Sequence, residues 1–89
     1  MSTPPKNKLF VTIRSRQGLA FEGELDAITS FNQVGQFDVL PEHGNFVTMI
    51  NNKLILRKNR GAREEINVDK GVMMVEENRV QVFIGVGAL

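Results

Sequence analysis

With 89 residues, the chain is long enough for one domain and too short for two. Apolar residues make up 42% and charged residues 24%, enough to build a core and too apolar for general disorder. A net charge of +1 sets up no field that would select nucleic acid or anionic lipid, and the absence of cysteine excludes disulfides, thiolate nucleophiles and cysteine-based zinc sites.

Residues 1–7 are polar, with Pro4-Pro5, and read as a flexible arm; 8–89 read as a single β domain. From Lys8 the pattern has period two: Leu9, Val11 and Ile13 alternate with Phe10, Thr12 and Arg14, predicting a strand with one face buried. Arg16-Gln17-Gly18 predicts a hairpin turn. The next strand carries Phe21, Gly23, Leu25 and Ala27 on one face, and Ile28 then breaks the phase, which predicts a bulge near Ala27–Ile28. Residues 30–36 read as a polar loop holding one apolar residue, Val34. Phe37–Leu40 and Phe46–Ile50 flank a turn at Pro41-Glu42-His43-Gly44-Asn45, and Asn51-Asn52 reads as a further turn.

Lys53–Lys58 alternates basic with apolar residues, and Asn59-Arg60-Gly61 closes a hairpin that returns through Glu65–Val68. Lys70-Gly71 leads into Val72–Val75, a polar turn at Glu76–Arg79 and a last strand at Val80–Ile84. Short strands bounded by Gly, Asn or Pro, with no helical stripe anywhere, predict an all-β sandwich or small barrel. No apolar run approaches the roughly 20 residues of a spanning helix, and no signal core follows the N-terminal basic residues, so a cytosolic placement is expected.

The residues offer little chemistry. His43 is the one histidine, too few for a zinc site without cysteine. Ser15 or Ser30, His43 and Asp38 could be written as a triad, but no nucleophile elbow surrounds either serine. The carboxylates Glu22/Glu24/Asp26, Glu64/Glu65 and Glu76/Glu77 lie on polar strand faces or beside turns, where they are solvated. No catalytic, cofactor or metal residues are therefore expected. The basic cluster Lys53, Arg57, Lys58, Arg60 and Arg63 could track a phosphate backbone, which leaves single-stranded nucleic acid bound at Lys53–Arg63 as the alternative function. No aromatic residue lies between Lys53 and Arg63 to stack a base, so a solvated hairpin is the preferred reading.

Two segments are more distinctive than composition. Gly35-Gln36-Phe37-Asp38-Val39-Leu40-Pro41-Glu42-His43-Gly44-Asn45-Phe46-Val47-Thr48-Met49-Ile50, and upstream Leu19–Ile28 with its Phe21-x-Gly23 core, resemble the epsilon subunit of the F-type ATP synthase. Val68–Val75 and Asn78-Arg79-Val80-Gln81-Val82 extend the resemblance over roughly Leu9 to Ile84. The sequence departs from that pattern at Asp38 and Glu42, where the family favours Gly, at Gly44-Asn45 in place of Ala-Pro, and at Lys70 in place of one Gly of a pair. The family typically continues into a two-helix hairpin tied to inhibition of hydrolysis and, in some members, ATP binding. This sequence stops at Leu89, so the resemblance carries neither role over.

The resemblance implies a two-sheet sandwich of about ten strands at the foot of the rotor, a non-catalytic central-stalk part that couples proton flow to ATP synthesis. Its partners would be the gamma subunit and the c-ring, on the cytoplasmic side of a bacterial plasma membrane and peripheral to it. By position, Phe31, Asn32, Gln33, Val34, Gln36 and Asp38 would face the c-ring, with Ser15, His43 and Thr48 facing gamma.

Overall fold

The computed structural model describes residues 6–42 and 44–85, the side chain of Arg60 excepted; residues 1–5 of the expected arm, and His43, lie outside the described residues. Seven strands follow one another: β1 (Leu9–Ser15), β2 (Gly18–Leu25), β3 (Ala27–Asn32), β4 (Gly35–Val39), β5 (Phe46–Arg57), β6 (Arg63–Glu76) and β7 (Arg79–Ile84). One turn of 3-10 helix, Asn59–Gly61, joins β5 to β6. The strands form one hydrogen-bonded ladder in the order β2-β1-β7-β6-β5-β3-β4, in which only the β1–β7 pair is parallel.

This ladder cannot be flat. β2 ends at Leu25 and β3 begins at Ala27, so Asp26 alone connects strands five positions apart in the order. A flat sheet would put them about 24 Å apart at the usual strand spacing, whereas two residue steps reach about 7 Å. The sheet therefore rolls over on itself. Asp26 N–H donates to the Arg57 carbonyl at 2.9 Å across the seam, and the Lys8 ammonium bridges the Asp26 carboxylate and the Asn59 amide. One core fills the interior, with Leu9, Val11 and Ile13 from β1, Ile28 from β3, Leu54 and Leu56 from β5, Met73 from β6 and Val82 from β7. Phe37 and Phe46 close one end of it, edge to face at 6.2 Å between ring centroids.

The roll is made by irregularities in the two long strands. Ile50 pairs with Gly71 and Asn52 with Val68, so β6 holds one residue more than β5 at that point. Asp69 and Lys70 accordingly both face solvent, and the buried set switches phase from Ile66 and Val68 to Gly71, Met73 and Val75. Asn51-Asn52 and Lys70-Gly71, expected as breaks, are thus bends within continuous strands. That is why seven strands appear instead of about ten. The phase change at Ala27–Ile28 is likewise no bulge but the junction between two strands, with 27–30 buried on both faces.

Between β3 and β5 the register steps from Thr29↔Ile55 to Phe31↔Asn51. The buried Ser30 hydroxyl bridges that gap by donating to the Lys53 carbonyl at 2.9 Å, a group the ladder would otherwise leave unpaired. Thr29, equally buried, donates to Asp38 at 2.6 Å and accepts from Arg57 Nε at 3.1 Å. No buried side-chain nitrogen or oxygen among the described residues lacks a partner.

Glu42, at a position where the resembled family favours Gly, has φ 60. That left-handed conformation costs a non-glycine residue about 1–2 kcal/mol. Its N–H is held by the Asn78 side-chain oxygen at 2.6 Å, from the β6–β7 turn where Glu77 and Asn78 also have positive φ. Glu42→Gly is expected to stabilise the fold by about 0.5–1 kcal/mol, after allowing for the greater freedom of glycine in the unfolded chain. Urea denaturation of the two forms checks it.

Candidate docking surface

The segment read from sequence as a loop at residues 30–36 is instead a hairpin. β3 continues to Asn32, Gln33-Val34 form the tip, and β4 starts at Gly35, with Asn32 paired to Gly35 and Phe31 to Gln36. Asn32 is the residue that shapes the tip. Its side-chain oxygen accepts from the N–H groups of Val34 at 2.9 Å and Gly35 at 3.3 Å, while its amide nitrogen donates to the Thr48 hydroxyl at 3.2 Å. Gly35 takes φ 137, a region that favours glycine. The outcome is a tip held from within, with Val34 at its apex and 96% exposed.

Gln33 and Gln36 are exposed beside Val34, while Phe31 and Asn32 are half-buried. Asp38 is exposed on β4, but its carboxylate is engaged by Thr29. No unpaired charge stands at the tip. An uncharged, pre-formed turn with one apolar apex is suited to docking, since nothing there loses a hydration shell without compensation.

Of the residues expected to face a second partner, Thr48 and Ser15 are among the described residues. Thr48, half-buried on β5, is brought against the hairpin through Asn32. Ser15 ends β1 at the other half of the ladder, where its hydroxyl accepts from the Gln17 N–H at 3.2 Å. What the sequence did not mark is the exposed apolar row beside Thr48: Val47 and Met49 on β5, with Met74 opposite Val47 on β6. Their period-two spacing matches that of the core face, so from spacing alone neither face of β5 could be told from the other.

The basic hairpin is partly neutralised among its described side chains. Lys53 and Arg63 reach Glu65 at 3.4 and 2.7 Å, Lys58 reaches Glu64 at 2.9 Å and lies 5.8 Å from the centroid of the Phe21 ring, and Arg57 is tied to Thr29. The Arg63 guanidinium beside Glu65, with Lys53 adding to it, holds that carboxyl below its ordinary value. Three of the described cations thus share two carboxylates, which weakens their draw on a phosphate backbone, and nothing favours the nucleic-acid reading.

Comparison with known proteins points to one family. Residues 8–86 match the family model described as the β-sandwich domain of the ATP synthase delta/epsilon chain. ATP synthase epsilon chains of Sulfurimonas denitrificans and Leptospira borgpetersenii are 29% and 26% identical, over 88% and 93% of this chain. The match takes in 61% and 65% of those proteins, so the chain spans less than two thirds of their length. Among solved structures, a chain of the Euglena gracilis mitochondrial ATP synthase superposes with a TM-score of 0.82 at 17% identity, covering 94% of this chain and 53% of that one. A chain of the Tetrahymena thermophila central stalk and c-ring assembly superposes with a TM-score of 0.72 at 13% identity, covering 93% and 66%. At those identities the likeness establishes the fold.

Proposed function

The chain belongs to the β-sandwich family of ATP synthase delta/epsilon chains, and from that premise we propose that it is a non-catalytic central-stalk component of an F-type ATP synthase. In this reading it docks on the gamma subunit and the c-ring and helps to couple proton flow to ATP synthesis. It sits at the cytoplasmic face of the membrane through the complex. The observation that carries the reading is the β3–β4 hairpin, an uncharged tip braced by Asn32 with Val34 exposed at its apex. The core enclosed by the rolled sheet suits a part that transmits torque, because close-packed interiors resist shear. The tip faces the ring; Ser15, His43 and Thr48 belong to the gamma side by resemblance alone, and Thr48 also borders the hairpin.

Purified chain is expected to be retained by the gamma subunit and c-ring of the same source. Val34→Glu should weaken retention by the ring at least ~10-fold, since a charge buried there finds no partner, and leave the thermal midpoint unchanged. Equal retention of both forms would contradict the assignment of the tip.

A further inference from the structure

β5 is flanked differently along its length. From Asn51 to Arg57 it lies between β6 and β3, but from Phe46 to Ile50 it is paired, among the described residues, with β6 alone, because the β3 ladder ends at Phe31↔Asn51. Backbone groups of alternate residues in that stretch face away from β6. Other open edges among the described residues are blunted: β2 carries Glu22 and Glu24, β4 is five residues long and carries Asp38, and residues 63–70 of β6, which β7 does not reach, carry Arg63, Glu64, Glu65, Asp69 and Lys70. Phe46-Val47-Thr48-Met49-Ile50 has neither charge nor proline. Opposite it stands the hairpin tip, leaving a groove of about 340 Å³ lined by Asn32, Gln33, Val34, Val47, Thr48 and Met49, none of them charged.

We propose that residues 46–50 are a strand-addition site, where an extended, uncharged segment of a neighbouring stalk chain pairs with the open edge of β5 beside the β3–β4 tip. Main-chain hydrogen bonds supply the affinity, and alternate side chains of the added segment stand next to Val47 and Met49 on the outer face. A charged segment is disfavoured, because the groove holds no charge to replace lost hydration. A second copy of this chain is the competing occupant, and the test below separates it from a stalk segment. The inference rests on the stalk reading for the source of the segment.

The test is backbone amide exchange on the isotope-labelled full chain, alone and with purified gamma subunit or c-ring. Alone, the amides of residues 46–50 that face away from β6 should exchange at least ~100-fold faster than those facing it, and a bound partner should slow them at least ~100-fold. Met49→Glu, at a site already 57% exposed, should weaken that partner's binding at least ~10-fold without loss of fold. Binding of a partner with these amides unchanged overturns the inference and leaves the stalk reading standing. Failure to bind either partner overturns both. Dimerisation of the chain alone, with these amides protected, overturns the proposed occupant.

Discussion

Gly71→Val is expected to destabilise the fold by about 3 kcal/mol, and Gly71→Ala by about 2, measured by urea denaturation. Strand propensity alone predicts the opposite sign, since alanine in place of a mid-strand glycine gains about 0.5–1 kcal/mol. The contacts decide it. Gly71 is buried in the middle of β6, paired with Ile50 on one side and Ile84 on the other. A Cβ there would lie 2.8 Å from the Phe83 carbonyl oxygen and 3.2 Å from Ile50 Cγ1. The carbonyl belongs to the β7 backbone and cannot swing aside as a side chain could. The neighbouring bulge residues Asp69 and Lys70 face solvent, so of the family's glycine pair only this one is required by packing. A stabilising Gly71→Ala would show that the sheet relaxes at its bend.

Leu54→Ala should cost about 3 kcal/mol, a large share of the roughly 5–10 kcal/mol expected for a chain this size. Leu54 is fully buried on β5 opposite Ile66, on the half of the strand beyond the bend, where both layers of the roll meet. Its removal leaves a cavity between backbone ladders that are fixed on both sides, so collapse is limited. The denaturation midpoint should fall with the m-value unchanged. A loss under about 1 kcal/mol would mean that the layers close over the gap.

Much of the fold was legible because period-two patterning survives wherever a strand keeps its register. Leu9, Val11 and Ile13 are buried as their alternation predicts, and the turns at Arg16-Gln17 and Asn59–Gly61 fall where glycine and asparagine mark them. Continuity was harder to see. Asn51-Asn52 carries turn residues, yet pairing with β6 on one side and β3 on the other holds the strand through them. At Ala27–Ile28 a break in phase has two physical causes, a bulge or a strand end, and composition does not separate them. The candidate site shows the same division. Val34 stood out as an apolar residue in a polar segment, but the bracing role of Asn32 and the open edge of β5 depend on which strands pair, and pairing is a long-range property.

Because the sequence contains no cysteine, Val34→Cys places a single thiol at the hairpin apex. With this variant assembled into the complete synthase, a short bifunctional thiol reagent should join that position to a c-ring subunit, and labelling by a soluble maleimide should fall sharply relative to the free chain. A thiol that labels equally fast in the assembled and free states, and cross-links to no ring subunit, would contradict the docking of this tip.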